Sequence, residues 1–284
     1  MQWLEKINEA LSYIEENLDG EISYERAASI VGCSTYHFQR MFSFMVGIPL
    51  SEYIRRRRLT KAAFDLQQGD KVLTVALRYG YESPTSFNRA FQNQNGLSPS
   101  AARKKGNLLK AFPRITFTLS IKGAEEMNYR IEDKESFTVV GFSLKLEKDS
   151  DSSFDIIPKF WDAKEKSGDI ARLCTHMGQE PKGLLGVCCT GDQDKDWMYY
   201  IAIASDKPVP QGLESHTIDS TTWAIFSGRG AMPKAIQDLQ KQIMSEWLPS
   251  SDYVFGTAPD IERYITEDTT DQEFEVWIPI QPKK

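Results

Sequence analysis

Hydrophobic positions in residues 1–106 recur every three or four residues, which is the spacing of helices that bury one face. The first stripe ends at Asp19-Gly20, where glycine can take the left-handed conformation that stops a helix, and it consists of Ile7, Leu11, Ile14 and Leu18. A second helix, capped by Ser23, runs to Val31, and the turn Gly32-Cys33-Ser34 leads into a third helix. The pattern therefore predicts a helix-turn-helix.

This helix-turn-helix is repeated after 49 residues. Residues 27–47 and 76–96 are identical at six of 21 positions, where chance predicts roughly one. The identical pairs are Ala27 and Ala76, Ser34 and Ser83, Phe38 and Phe87, Arg40 and Arg89, Phe42 and Phe91, and Gly47 and Gly96. A long helix over residues 50–66 joins the copies. It can hold the two third helices about 34 Å apart, the distance between successive major grooves of DNA.

The third helix of each copy supplies the candidate DNA-reading residues. With Phe38, Met41 and Phe42 facing inward, the exposed side chains are hydrogen-bonding types that suit base edges and phosphates. In the first copy they are Tyr36, His37, Gln39, Arg40 and Ser43, and in the second copy Thr85, Ser86, Asn88, Arg89 and Gln92. The two arginines could instead pair with nearby carboxylates. The run Arg55 to Arg58 could be solvated or paired internally, because at most two of its members can face DNA.

Two groups of motifs in residues 1–106 occur in the order and spacing of a known family. The first group is Gly32-Cys33-Ser34, Phe38-Gln39-Arg40-Met41-Phe42, Gly47-Ile48-Pro49, Tyr53-Ile54-Arg55 and Arg58-Leu59. The second group is Ala76, Tyr79-Gly80-Tyr81-Glu82-Ser83, Phe87, Arg89, Phe91, Gly96, Ser98-Pro99 and Arg103. Together they resemble the DNA-binding domain of the AraC/XylS family of bacterial transcription regulators. The resemblance implies an all-α domain of seven helices, with two helix-turn-helix units joined by one long helix.

Beyond residue 106 the pattern changes to the alternation typical of β-strands. Gly106-Asn107, Pro113 and Gly123 mark the change, so we place a linker at 107–125 and a second domain at 126–284. Its predicted strands are Tyr129 to Glu132, Phe137 to Leu144, Leu184 to Cys189, Trp197 to Ala204, Thr221 to Ser227, Ile261 to Ile265 and Phe274 to Ile280, and its predicted helices are Phe154 to Lys166 and Lys234 to Trp247. The order strand, helix, strand, strand occurs twice. This order predicts an α+β sandwich built from duplicated units, with the helices on one face of a sheet.

Two of the last strands each place a carboxylate and an aromatic ring on one face. Because side chains alternate along a strand, Glu262 shares a face with Tyr264, and Glu275 shares a face with Trp277. Rings and an acid on a concave surface attract organic cations, although both carboxylates could instead be solvated. Residues 107–284 carry a net charge of −9, which favours a cationic ligand. Residues 1–106 carry +3, which confines DNA contacts to the first domain.

Three motifs near the end of the chain carry a second resemblance. They are Trp247-Leu248-Pro249-Ser250-Ser251, Pro259-Asp260-Ile261-Glu262-Arg263-Tyr264 and Phe274-Glu275-Val276-Trp277-Ile278-Pro279-Ile280, with Val139-Val140-Gly141 and Gly186-Val187 as weaker matches. They resemble the GyrI-like effector-binding domain, which is related to the sensor domains of multidrug-responsive regulators. The resemblance implies that Glu262 or Glu275 holds a cationic or polar ligand. It also implies that the walls of the site are Trp223, Tyr264 and Trp277.

Composition narrows the classes of function. No stretch approaches the ~20 uninterrupted apolar residues of a membrane helix, and the first residues lack the pattern of a secretory leader, so we expect a cytoplasmic protein without a membrane partner. The four cysteines and three histidines lack zinc-ligand spacing, which predicts no metal and no cofactor. No Ser/His/Asp or Cys/His arrangement supports covalent catalysis, so we predict no enzyme and no catalytic residue. A small hydrolase with Glu262 or Glu275 as general base is an alternative.

The sequence thus predicts a bacterial transcription regulator, which we expect to be an activator. Its predicted partners are double-stranded promoter DNA, RNA polymerase and a small aromatic or cationic effector such as a lipophilic cation. An alternative is a ligand-independent activator whose acidic half serves protein contacts only. Two recognition helices per chain permit a monomer, and a dimer through the acidic half is also open.

Overall fold

The computed structural model describes residues 2–118, 126–147, 153–190 and 196–283. The chain divides into two compact units. The first comprises Met1–Val31 and Val46–Ser120, and the second comprises Gly32–Met45 and Ile121–Lys284. The predicted boundaries at residues 106 and 126 stay a prediction. In the structure the segment Gly32–Met45 packs as part of the second unit.

Residues before 106 form seven helices, which confirms the all-α first part. They are α1 (Gln2–Glu16), α2 (Tyr24–Val31), α3 (Thr35–Val46), α4 (Leu50–Gln67), α5 (Val72–Arg78), α6 (Pro84–Asn95) and α7 (Pro99–Ala102). In the first unit, apolar residues of α4 to α7 form one core, which includes Leu59, Leu66, Val75, Phe87 and Phe91. The stripe that predicted α1 is buried as expected, because Ile7, Leu11, Ile14 and Leu18 are all 0% exposed.

The second unit contains one antiparallel sheet, which confirms the α+β second part. Its elements are β1 (Tyr129–Lys134), β2 (Phe137–Glu147), α8 (Ser153–Lys166), α9 (Asp169–Cys174), β3 (Leu184–Thr190), β4 (Asp196–Ala204), β5 (Glu214–Ile218), β6 (Thr221–Gly230), α10 (Lys234–Gln242), a π-helical turn (Ile243–Trp247), α11 (Leu248–Ser250), β7 (Tyr253–Phe255), β8 (Asp260–Tyr264) and β9 (Gln272–Pro282). The strand order is β1-β6-β9-β8-β3-β4-β2-β5, and β7 pairs with β9. All seven predicted strands are present. The predicted duplication of the units stays a prediction.

The sequence did not predict β5, β7 and α9. The side chains of β5 are mostly exposed, in the sequence Glu-Ser-His-Thr-Ile, so this edge strand shows almost no apolar alternation. The strand β7 and the helix α9 have only three and six residues, too few for a periodic pattern to be recognised.

The two faces of the sheet have separate cores. One face, which we call the helix face, carries Tyr199, Ile201 and Ile203 and packs against apolar residues of α8 and α9. The opposite face carries a second apolar cluster, which includes Val187, Tyr200, Ile225, Trp223 and Trp277. Because side chains alternate along a strand, the register of the strands decides which of these faces each candidate residue joins.

Candidate effector site and nucleic-acid interface

Glu262 lies on the helix face, since it pairs with Gly186 of β3, which in turn pairs with Ile201 of β4. Its side chain is only 13% exposed. Gln240 of α10 donates a hydrogen bond to its Oε1 at 2.8 Å, and the hydroxyl of Tyr264 donates to its Oε2 at 2.9 Å. A carboxylate that is nearly buried must be matched by donors in this way, because an unpaired buried charge is strongly unfavourable.

Aromatic rings surround this carboxylate. The hydroxyl of Tyr199 lies 3.5 Å from Oε2 of Glu262 and accepts a hydrogen bond of 2.8 Å from the indole nitrogen of Trp161 in α8. The rings of Trp161 and Tyr264 meet edge to face, with their centroids 5.1 Å apart. Burial raises the pKa of Tyr199 and of Tyr264, so both hydroxyls stay protonated and can donate. We call Glu262, Trp161, Tyr199, Tyr264 and Gln240 the acidic cage.

Gly186 makes room for the acidic cage. A Cβ atom at this position would lie 2.5 Å from the hydroxyl oxygen of Tyr199 and 3.0 Å from Oε2 of Glu262. Both distances are shorter than van der Waals contact, so only glycine fits beneath the acid without displacing these groups.

Glu275, Trp223 and Trp277 lie on the other face of the sheet. The register pairs Arg263 with Glu275 and Ile261 with Trp277, which puts Glu275 and Trp277 opposite to the face of Glu262. The structure therefore brings together Glu262 and Tyr264, but the expectation that Trp223, Glu275 and Trp277 line the same pocket is wrong. The prediction of which residues share a face within each strand was correct. The pairing of one strand against the next could not be read from the sequence, because a shift by one residue exchanges the faces.

Glu275 is a buried carboxylate at the centre of an ionic cluster. Its carboxylate accepts hydrogen bonds from Arg130 at 2.8 Å, from Arg263 at 2.9 Å and from the indole nitrogen of Trp277 at 2.8 Å. Burial alone would raise the pKa of Glu275, but the hydrogen bonds from Arg130, Trp277 and Arg263 outweigh it and hold the pKa below its ordinary value. This arrangement is suited to holding β1, β8 and β9 together.

Glu275→Gln should lower the free energy of unfolding by about 2 kcal/mol, because hydrogen bonds to charged groups are lost. A lowered pKa in the folded state stabilises the protein above the pKa of the unfolded state. This contribution is lost as the pH falls through the folded-state pKa, so the difference from the parent should shrink in acid. Chemical denaturation at several pH values measures it. The control Glu273→Gln, on the same strand, removes an exposed ion pair with Arg229 and should change stability by less than about 1 kcal/mol.

Three residues of the acidic cage were not found from the sequence. They are Trp161, Tyr199 and Gln240. Each lies on an element that was predicted correctly. Their convergence on Glu262 depends on how α8 and α10 pack on the sheet, and no local signal in the sequence carries that information.

The candidate residues of α3 are not presented to solvent in this structure. Tyr36, His37 and Ser43 are buried, and the Arg40 side chain is 14% exposed. The Tyr36 ring meets Trp197 edge to face at 4.9 Å, and the His37 ring stacks on Phe255 at 4.4 Å. Gln39 is half-buried. The expectation of an exposed reading face on α3 is thus not met here, because this face packs within the second unit. Its contacts with DNA stay a prediction.

Arg40 is bound by two carboxylates of β8. Its Nη2 lies 2.6 Å from Oε1 of Glu262, and its Nη1 lies 3.2 Å from Oδ2 of the buried Asp260. Burial alone would lower the pKa of Arg40, but Asp260 and Glu262 raise it well above its ordinary value. Burial likewise opposes ionisation of Asp260, and the charge of Arg40 holds the pKa of Asp260 below its ordinary value.

The corresponding helix of the second copy, α6, has the opposite exposure. All five of its candidate residues are exposed, namely Thr85, Ser86, Asn88, Arg89 and Gln92. The helix begins at Ser83, whose Oγ accepts a hydrogen bond from the backbone N–H of Ser86 at 3.1 Å, and it ends at Gly96 with φ 76°. Arg55 of α4 and Arg89 line one surface groove at the start of α6. This groove combines two cations with the N-terminal end of a helix, both of which favour phosphate.

The arginine run of α4 is mostly paired within the first unit. Arg57 forms an ion pair of 2.7 Å with the buried Glu15, and Arg58 donates to the carbonyl oxygen of Leu18 at 2.9 Å. Arg55 and Arg56 pair with Glu52. The internal alternative for this run is therefore the one that the structure shows, and Arg55 also faces the groove described above.

Among the described residues, no group of three or more His, Cys, Asp or Glu side chains could hold a metal ion. None of the helices that the structure describes has the length and apolar character to cross a membrane.

Two family models match the chain. The model described as helix-turn-helix domain matches residues 27–105, and the model described as integron-associated effector binding protein matches residues 130–280. The HTH-type transcriptional activator AarP of Providencia stuartii is 43% identical over 98 residues, which cover 34% of this chain and 73% of AarP.

The chain is an AraC-type transcription regulator and belongs to the integron-associated effector binding family.

A second relative of this regulator extends over both parts. The transcriptional regulator Rob of Salmonella typhimurium is 25% identical over 270 residues, which cover 93% of this chain and 91% of Rob. Among solved structures, SAV2435 bound to tetraphenylphosphonium is 26% identical, with a TM-score of 0.49, and covers 55% of this chain and 94% of its own. AarP is a transcriptional activator and Rob is a transcriptional regulator, so the prediction of a regulator is confirmed and the hydrolase alternative is not supported.

Proposed function

We propose that the effector of this regulator is a small organic cation with aromatic substituents, and that the acidic cage binds it. The observation that carries this proposal is the carboxylate of Glu262, which is 13% exposed and lies among the rings of Trp161, Tyr199 and Tyr264. A negative charge in such surroundings attracts a cation more strongly than in water, because little solvent screens it. Each ring adds about 0.5–2 kcal/mol when its face meets a desolvated cation.

Neutral ligands and anions gain less from this site. An anion would be repelled by Glu262, and a neutral ring would gain no charge attraction from this carboxylate. Gln240 and the two tyrosine hydroxyls contact the carboxylate oxygens and so hold the carboxylate in place. The class of ligand is therefore set by charge first and by aromatic character second.

Replacing Glu262 with glutamine tests the effector proposal. The probes are tetraphenylphosphonium and tetraphenylborate, which have the same shape and opposite charge. We expect the purified full chain to bind the cation and not the anion, and Glu262→Gln to weaken cation binding at least about tenfold, which corresponds to ~1.4 kcal/mol. Calorimetry and thermal stabilisation measure it.

The matched control is Glu267→Gln, which makes the same change at an exposed position. It should leave cation binding unchanged. Equal binding of both probes, or binding that ignores Glu262→Gln, would reject the charge argument. No binding of either probe would favour a regulator whose acidic unit serves protein contacts.

For DNA, we propose that α6 reads promoter sequence through Thr85, Ser86, Asn88, Arg89 and Gln92. Support comes from their exposure and from the groove that Arg89 and Arg55 line. We further propose that the regulator acts in the cytoplasm, contacts RNA polymerase and activates transcription.

Arg89→Gln should weaken binding to duplex DNA. If Arg89 binds phosphate, the slope of log affinity against log salt concentration should fall by about one phosphate contact. If Arg89 binds a base, the preference for the selected sequence should relax. Fluorescence anisotropy with a duplex selected from a randomised pool measures both. Arg172→Gln, an exposed arginine of the other unit, is the control and should have no effect. Equal affinity of Arg89→Gln and the parent chain at all salt concentrations would exclude a contact with DNA.

A further inference from the structure

The guanidinium of Arg40 meets the partners that the proposed effector would need. It lies 2.6 Å from Glu262 and 3.2 Å from Asp260, and it donates to the hydroxyl of Tyr36. Its Cζ lies 5.3 Å from the centroid of the Phe44 ring. A planar organic cation is thus already bound to the carboxylate of the acidic cage, and the chain itself supplies it.

Arg89, the counterpart of Arg40 in the sequence repeat, differs from it in exposure. Arg40 and Arg89 occupy equivalent positions in the two helix-turn-helix copies, yet Arg89 is exposed and Arg40 is nearly buried. The helix-turn-helix therefore does not require the buried position of this arginine. Burial of Tyr36, His37 and Ser43 beside it means that α3 cannot reach the base edges of DNA in this conformation.

We propose that Arg40 is an internal occupant of the effector site, and that a cationic effector displaces it from Glu262 and so releases α3 to bind DNA. This inference rests on the proposed function and adds its regulation. Nη2 of Arg40 lies 2.6 Å from Oε1 of Glu262 and so takes the space that a cation in contact with this oxygen would need. The effector and Arg40 therefore compete for the same carboxylate oxygen. Loss of the Glu262 contact leaves Arg40 with Asp260 alone and weakens the retention of α3.

The competition makes the two binding events reciprocal. A cation that binds more tightly when α3 is released from Glu262 raises the affinity of the chain for DNA. DNA bound to the released α3 raises the affinity for the cation by the same factor. Asp260 contacts α3 at Arg40, 3.2 Å away, and at His37, 3.7 Å away, so it helps to hold α3 in its buried position when no cation is bound.

The first arm of the experiment measures tetraphenylphosphonium binding to the full chain. Arg40→Gln removes the internal cation and should tighten binding by about tenfold, within the usual range of coupling between sites. Arg89→Gln, the matched change at the repeated position, should leave it unchanged. If Arg40→Gln does not fold because Asp260 is left unpaired, the double variant Arg40→Gln with Asp260→Asn removes both charges and should show the same gain.

The second arm measures affinity for the selected DNA duplex. Saturating tetraphenylphosphonium should raise the affinity of the parent chain by about tenfold. Glu262→Gln should raise the affinity for DNA without any cation. Addition of the cation should not change the DNA affinity of this variant further. Tetraphenylborate should have no effect on either protein.

The outcomes separate this inference from the proposed function. If the parent chain binds the cation through Glu262, but Arg40→Gln binds it equally well and DNA affinity does not change, the inference alone is overturned. If neither the parent nor Arg40→Gln binds the cation, both are overturned. Binding to Arg40→Gln but not to the parent would show that the cation does not displace Arg40, and it would overturn the proposed regulation.

Discussion

Arg57→Ala should lower the free energy of unfolding of the first unit by about 3–5 kcal/mol, which is the effect of breaking a buried ion pair and leaving one charge behind. The Glu15 side chain is 7% exposed and that of Arg57 is 12% exposed. The hydroxyl of Tyr53 is the other donor to Glu15, at 2.8 Å. Burial alone would raise the pKa of Glu15, and Arg57 and Tyr53 hold it below its ordinary value. Without Arg57 the carboxylate would keep the hydrogen bond from Tyr53 and the weaker attraction of Lys61.

The pH dependence of this variant follows from the same cause. In the parent chain the lowered pKa of Glu15 stabilises the folded state above the unfolded-state pKa, and this contribution disappears as the pH falls. The deficit of Arg57→Ala should therefore be largest near neutral pH and smaller in acid. Denaturation curves at several pH values measure it.

Arg55→Ala is the control for this prediction. Arg55 lies two residues earlier on α4, is 43% exposed and pairs with Glu52, so its loss should change stability by less than about 1 kcal/mol. Equal destabilisation by both variants would show that Arg57 acts through helix α4 and not through Glu15.

Gly186→Ala should destabilise the second unit by about 1–3 kcal/mol and weaken tetraphenylphosphonium binding at least tenfold, because an added methyl group overfills a packed site. The new Cβ would lie 2.5 Å from the buried hydroxyl oxygen of Tyr199. Tyr199 is held by Trp161, so the tyrosine and Glu262 must both shift to accommodate the change. Thermal unfolding and calorimetry of the full chain measure the two effects.

Gly20→Ala is the matched change at an open position. The nearest atom to its added Cβ is 4.0 Å away, so both stability and cation binding should stay close to those of the parent chain. Cation binding that survives Gly186→Ala unchanged would place the effector away from the acidic cage.

Local patterns in the sequence were sufficient for most elements of this fold, with β5, β7 and α9 as exceptions. The stripe of α1, the repeat that marks α3 and α6, and the alternation of the main strands all follow from burial of one face of a helix or strand. The cap at Ser83 and the glycine at residue 96 likewise act within one turn. These features depend on neighbours in the chain, so the sequence carries them directly.

Only the tertiary structure decided which candidate residues meet. The register between β8 and β9 separates Glu275 from Glu262, and the packing of α8 and α10 brings Trp161 and Gln240 to Glu262. Arg40 and Arg89 share one motif position, yet one is nearly buried and the other exposed. Cross-strand register and the burial of a helix depend on contacts between residues far apart in the chain, and no periodic pattern along the sequence records them.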